Sequence, residues 1–416
     1  MENTMRIAVE THALSQDNIT GVGNVILHYL NELQKIDAAN EYFIYVMDDL
    51  KHLAIRNPRW RYVDFNYGLK RLRMSIRNRW LQLKSEGGTD MNILLSSRIL
   101  LFRLSKIMLE LFDEVVFSLK LASSLRKYKI DIYVGTSTYY YPYFFFSTVK
   151  KIGFLYDLVW KLYPETMEFG NKARMKLLTF RNMRKLDLLV SISANTKNDA
   201  HELLNLNTRI EAIPLAADGT IFYPADGSTV SAVRKKYGIS KKYILSVCTL
   251  EPRKNLKTLL AAYRILPSRR EYQLVLVGMT GWIGSDFFQA IESSDVRDNV
   301  LITGYVSTAE LAPIYTGAEL FVFPTLYEGF GLPVLEAMQC GCPVITSNTS
   351  SIPEVAGDAA LMLDPEDMTG LAESMEKILK NASLRKELAK KGLRQSKLFS
   401  WEKSARRLLQ ALESLR

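Results

Sequence analysis

Apolar positions in the second half of the chain fall into short β-rich runs separated by stretches with helical spacing. The runs are YILSVC (243–248), YQLVLVG (272–278), VLITGY (300–305), LFVFPT (320–325), PVITSN (343–348) and ALMLDP (360–365). Helical patterns lie between them near 255–265, 307–316, 333–340 and 367–379. Strand, helix, strand at this spacing predicts a parallel sheet covered on both faces, a doubly wound α/β domain. The first half repeats the theme less regularly, with strand candidates MRIAV (5–9), YFIYVM (42–47), DIYVGT (131–136), KIGFLYD (151–157), LDLLVSIS (186–193) and IEAIPLA (210–216). Ser193 and Asn195 have the chemistry of a cap for a helix running to about Leu204.

Residues 67–127 interrupt the alternation as an insertion, and PLAADGTIFYPADGS (214–228) has the proline, glycine and aspartate content of a hinge. The pattern therefore predicts two Rossmann-like domains, 1–218 and 219–398, facing each other across a cleft. FSWEKSARRLLQALESLR (399–416) follows as an amphipathic terminal helix. Ligands in such sheets bind at the carboxyl ends of strands, so the cleft is the expected site.

One stretch in the second domain carries chemistry. In FPTLYEGFGLPVLEAMQCGCPVITSN (323–348), Glu328 and Glu336 stand with seven residues between them in otherwise apolar surroundings. The strand is expected to end near Pro324, Pro333 to open a helix, and Gly341 to close it. That reading puts Glu328 in the strand-to-helix loop and Glu336 in the first helical turn. Gly329, Phe330, Gly331 and Leu332 then offer backbone N–H groups at a helix N-terminus, an anion site suited to a diphosphate. Two carboxylates flanking it are expected to stay ionised and to accept hydrogen bonds from paired hydroxyls, one set on a ribose and one on a second polyol. The bland alternative is a capped helix with two solvated glutamates.

Composition narrows the partners. The chain has 416 residues and a formal charge of +10, which favours an anionic partner. Three cysteines, Cys248, Cys340 and Cys342, read as reduced core residues. Four histidines and no HExxH give a metal site no support. MENTMRIAVE is too polar and acidic for a signal peptide, and no uncharged apolar run reaches the length of a spanning helix, so a cytoplasmic protein is expected. The insertion pairs a basic segment, KRLRMSIRNR (70–79), with a long apolar stretch, 92–125. It serves either as peripheral contact with an anionic membrane face or as a core helix under a loop. No aromatic-basic module resembling a nucleic-acid reader is present.

EGFGLPVLEAMQCGCPVI resembles the signature of the retaining GT-B glycosyltransferases, family 4. The similarity extends to TLEPRKNL (249–256), LVGMTGW (276–282), GYVSTAELAPIYTGAELFVFPT (304–325), IPEVAGDAAL (352–361) and FSWEKSA (399–405). It is patchier in GVGNVILHYL (21–30), FLYDL (154–158), SISANTKND (191–199) and IPLAAD (213–218). The resemblance implies that Glu328 meets the donor sugar and Glu336 the ribose of a nucleotide sugar, GDP- or UDP-linked. It implies that Arg253 and Lys254 meet the diphosphate, with Gly23 reaching it or an acceptor from the opposite domain. Tyr305 and Val306 would meet the nucleobase, and Trp401 would anchor the terminal helix on the first domain.

No metal and no other cofactor is implied. The partners are the donor and a glycan or lipid-linked acceptor, and the subgroup it looks most like builds bacterial surface polysaccharide, often from GDP-mannose. Two departures stand out. Thr249 occupies a position where many relatives carry arginine, so Arg253 is expected to supply that cation. Tyr156 stands where many have a histidine near the donor sugar; a phenol orients but does not act as a base near neutral pH. These departures leave open an inactive, membrane-associated scaffold of the same fold. A sugar-nucleotide epimerase or phosphorylase is the other alternative.

Overall fold

The computed structural model describes residues 4–15, 19, 21–46, 50, 52–65, 112, 115–136, 148–166 and 180–416. Two all-parallel sheets are present. The first runs β3-β2-β1-β4-β5-β6-β7 and comprises β1 (Arg6–Glu10), β2 (Glu41–Val46), β3 (Trp60–Asp64), β4 (Ile132–Gly135), β5 (Lys150–Leu155), β6 (Leu188–Ser191) and β7 (Arg209–Ala212). The second runs β10-β9-β8-β11-β12-β13, with β8 (Lys242–Val247), β9 (Tyr272–Val277), β10 (Val300–Gly304), β11 (Leu320–Phe323), β12 (Val344–Ser347) and β13 (Leu361–Leu363). Near-continuous apolar strands such as YQLVLV and LFVF are buried along their whole length, as strands covered by helices on both faces must be.

The order 3-2-1-4 in each half fixes where a ligand can sit. Strand order reverses at β1/β4 in the first sheet and at β8/β11 in the second. The loops leaving neighbouring strands there diverge to opposite faces and open a crevice. TLEPRKN leaves β8 and TLYEGFG leaves β11, so the two charged segments meet at one switch point.

Several details differ from the expectation. The strand β3 was not anticipated, because only Trp60 and Val63 of WRYVD face inward, a half-buried edge pattern with two charges. The hinge is shorter than 214–228: Asp226 caps a helix Gly227–Tyr237, its carboxylate accepting from Ser228 and Thr229 N–H. A helix Ala382–Ser396, dense in lysine and arginine, was also missed. Gly21 and Gly23 do not precede the first helix but form its first turn, Gly21–Ile36. Of the insertion, residues 115–127 are helical with Phe117, Leu121 and Leu125 buried; segment 70–79 and most of 92–125 lie outside the described residues. No helix among the described residues is long and apolar enough to cross a membrane.

The terminal helix, Trp401–Glu413, packs on Gly21–Ile36 of the first domain. Trp401 stacks on His28 at 4.7 Å and meets Tyr29 edge-on at 5.5 Å. Ser404 donates to the Pro214 carbonyl at 2.6 Å, and Arg407 to that of Ala212 at 2.6 Å, so the helix straps the start of the interdomain connection. Trp401→Ala is expected to cost about 3–5 kcal/mol of unfolding free energy in urea titration. A loss under about 1 kcal/mol would show that the strap does not depend on this indole.

Candidate active site

The site is built at the β8/β11 switch point. After β8 the chain makes a short 3-10 turn, Pro252–Lys254, which aims two cations at the loop leaving β11. Lys254 Nζ lies 2.6 Å from Glu328 Oε1, and Arg253 reaches the same oxygen at 2.9 Å. Thr325 adds a third donor at 2.9 Å. Burial alone would push the Glu328 carboxyl up, but the Lys254 and Arg253 charges outweigh it and hold it below the usual carboxylate range. Glu328 is therefore ionised and fixed.

Arg253 is spoken for on both terminal nitrogens. One donates to the Tyr327 carbonyl at 2.5 Å as well as meeting Glu328, and the other meets Glu251 at 2.5 Å. Burial disfavours its charge, yet Glu328, Glu251 and Asp157 reverse that and raise its pKa further. Lys254, with three donors on one ammonium, retains capacity for a ligand. Asp157 joins from the first domain; burial raises its pKa and Arg253 opposes the shift.

Glu336 is in a different situation. The helix begins at Leu332, so Glu336 is its fifth residue and not part of the first turn. Its carboxylate accepts from Tyr315 at 2.9 Å, and no cation stands beside it among the described residues. Desolvation pushes its pKa up to about 7, and the Tyr315 hydrogen bond offsets only part of this. The expectation that both glutamates are firmly ionised therefore holds for Glu328 alone.

Between them, Gly331 caps the helix with φ +106°, a backbone that glycine adopts without strain. The backbone N–H groups of Gly329, Phe330, Gly331 and Leu332 have no acceptor among the described residues. The loop is held from behind by hydroxyls. Ser351 donates to the carbonyls of Glu328 and Phe330 at 2.9 and 2.8 Å, and Ser350 Oγ accepts the Glu328 N–H at 3.0 Å. Ser350 has φ +54°.

Other expected residues scatter. Phe330 turns its ring into the core against Phe399, leaving only its backbone to the site. Val306 is buried in the core, whereas Tyr305 beside it is 62% exposed at the end of β10. Thr249 is exposed and packs its methyl toward Gly281. Tyr156 donates its hydroxyl proton to the Thr136 carbonyl at 2.8 Å. Gly23 is filled on its side-chain face by the Ala13 carbonyl and Ile19, so packing accounts for it.

Five residues went unrecognised in the sequence. Glu251 and Thr325 flank the cations, and the Ser350-Ser351 pair supports the loop. Glu10, at the first sheet's own switch point, is fully buried, accepts from Thr136 at 2.8 Å and from the His12 N–H, and has its pKa pushed by burial to about 7. A usable signal existed for three of them: polar residues directly after predicted strands, at the sheet's carboxyl edge.

The family model for glycosyl transferases group 1 matches residues 230–395. The O-antigen chain mannosyltransferase B of Escherichia coli is 33% identical over 298 residues, 71% of this chain and 77% of that protein. The chain belongs to the group 1 glycosyl transferases. The serotype-specific mannosyltransferase WbdA of Escherichia coli is also 33% identical, over 227 residues or 53% of this chain, which corresponds to 28% of that longer protein. Sucrose-phosphate synthase from Thermosynechococcus elongatus shares the fold with a TM-score of 0.71 at 18% identity, over 99% of both chains. The architecture of this glycosyltransferase is thus GT-B, two Rossmann-like domains enclosing a cleft.

The Glu336 environment makes a pH prediction for the enzyme. Its pKa is higher in the folded than in the unfolded chain, so the folded state prefers its proton. That contribution to stability is fully present below about pH 4.5 and is lost as pH rises through about 7. Glu336→Gln, which still accepts from Tyr315, is expected to stabilise the protein at pH 8 by up to about 3 kcal/mol and to be neutral at pH 4. Thermal unfolding at the two pH values checks this; equal effects at both would refute it.

Proposed function

We propose that this glycosyltransferase is retaining and transfers mannose from GDP-mannose to a glycan or lipid-linked acceptor of bacterial surface polysaccharide. The observation that carries the reading is the convergence of Glu328, its two cations and an open helix N-terminus at one switch point. The mannosyltransferase names of two relatives support the donor.

In this reading the diphosphate lies against the N–H groups of 329–332 and the Lys254 ammonium. Glu336 accepts the ribose hydroxyls, releasing Tyr315, and Tyr305 stacks on the base. Glu328 accepts hydroxyls of the sugar, and Arg253 holds Glu328 in place. As the anomeric carbon–oxygen bond breaks, the electron pair leaves with the phosphate, whose negative charge is met by Lys254 and the helix. The acceptor oxygen bonds to the anomeric carbon on the face the phosphate vacates, and its proton passes to the departing phosphate. No protein nucleophile and no metal is called for. Peripheral membrane contact through the basic insertion would bring a lipid-linked acceptor to the cleft on the cytoplasmic face.

Calorimetry with GDP, UDP and dTDP tests the reading. GDP is expected to bind most tightly, and Glu336→Ala to weaken it roughly 10–100-fold, the loss of one or two charge-assisted hydrogen bonds. Because only the carboxylate of Glu336 accepts two hydroxyls, GDP affinity is also expected to fall as pH drops below about 7. Preference for UDP would reassign the donor. An unchanged affinity in the variant would remove Glu336 from the site.

A further inference from the structure

The loop that carries Glu328 is held by both domains. Tyr327 is buried, and its hydroxyl donates to Asp199 Oδ2 at 2.7 Å. Asp199 lies on the helix Ala194–Leu204 of the first domain, and Asn195 Nδ2 fixes the same oxygen at 2.7 Å. One residue position on, the Thr196 hydroxyl donates to the Gly329 carbonyl at 3.2 Å. Gly329 itself sits so close to the Tyr156 carbonyl that an added methyl group would overlap it. Glu354 completes the contact in the other direction, accepting from the N–H groups of Ala194 and Asn195 at 2.9 and 2.6 Å.

On its other side, Tyr327 meets the charged centre. Its carbonyl accepts from Arg253, and Arg253 holds Glu328. One residue thus joins a helix of the first domain to the guanidinium that fixes the carboxylate. The hydrogen bond to Asp199 is charge-assisted and directional, so it sets a position as well as contributing energy.

We propose that Asp199, acting through the Tyr327 hydroxyl, is a positioning residue for sugar transfer, setting Glu328 relative to the first domain without touching the donor. This rests on the reading of Glu328 as the residue that meets the donor sugar. The nucleotide contacts of that reading belong to the second domain, and those of the acceptor to the first. Loosening the link therefore leaves nucleotide binding intact and misplaces the two reactants with respect to each other. A misplacement of about 1 Å is enough to slow a reaction roughly a hundredfold.

The test uses the full chain with Asp199→Ala, Tyr327→Phe, the double variant and Asp199→Asn, which still accepts from the phenol. GDP affinity is read by calorimetry, kcat and KM by turnover of GDP-mannose, and local opening by hydrogen exchange. In Asp199→Ala and Tyr327→Phe, GDP affinity and KM should stay within about twofold while kcat falls roughly 10–100-fold. The double variant should lose no more than either single one, and Asp199→Asn should retain most of kcat. Exchange should quicken together in 193–200 and 325–331. Exchange changes confined to 193–200, additive losses, or GDP affinity falling in step with kcat would each overturn the proposal. If the unaltered protein turns over no GDP-mannose, the donor assignment fails on its own, and the exchange data still decide whether Asp199 governs the loop.

Discussion

A carboxylate, Glu328, sits almost out of water between an ammonium and a guanidinium, and the geometry of the cleft is organised around that charge cluster. An isolated ion in this position would be costly by several kcal/mol. Here the cost is met by three donors on one carboxylate oxygen and by Glu251, which shares the surplus positive charge. The arrangement exists only because β8 and β11 are neighbours in the sheet although 72 residues separate Val247 from Leu320 in between. Parallel pairing brings two distant loops to the same end, and their side chains meet there.

The two glutamates of the motif show how environment divides the work between like groups. Glu328 is pinned ionised by adjacent cations. Glu336, with no cation paired to it among the described residues, keeps only a phenol for company, and burial raises its pKa to about 7. In the function proposed above, a fixed charge suits the group that orients the sugar, and a carboxyl whose pKa burial has raised suits a group that gains its partner only when a ribose arrives; such perturbed groups cluster at functional sites.

Most strands were legible because continuous apolar runs of four to six residues between glycine, proline and aspartate clusters have few other solutions. The edge strand β3 escaped because three of its five residues face water and two are charged. The helix Ala382–Ser396 escaped because its lysines and arginines mask a narrow apolar stripe at Leu388 and Gly392. Within the candidate site, the residues legible beforehand are those of one local motif, Glu328, Glu336, Gly329 and Gly331. Residues that act across the fold were not: Asp199 meets Tyr327 across 128 residues, and Glu354 meets Asn195 across 159. The place of Val306 after a strand suggests a base contact, but its side chain is buried in the core; Phe330 likewise buries its ring and leaves only the backbone N–H that was expected of it.

The proposed chemistry depends on where the nucleotide lies. A crystal structure of the protein grown with GDP measures that directly. The diphosphate is predicted on the N–H groups of residues 329–332 within hydrogen-bond distance of Lys254, with both ribose hydroxyls on Glu336 and the Tyr315 contact released. GDP bound instead at the β1/β4 crevice near Glu10, or a Glu336 still bonded to Tyr315 with the ribose elsewhere, would contradict it.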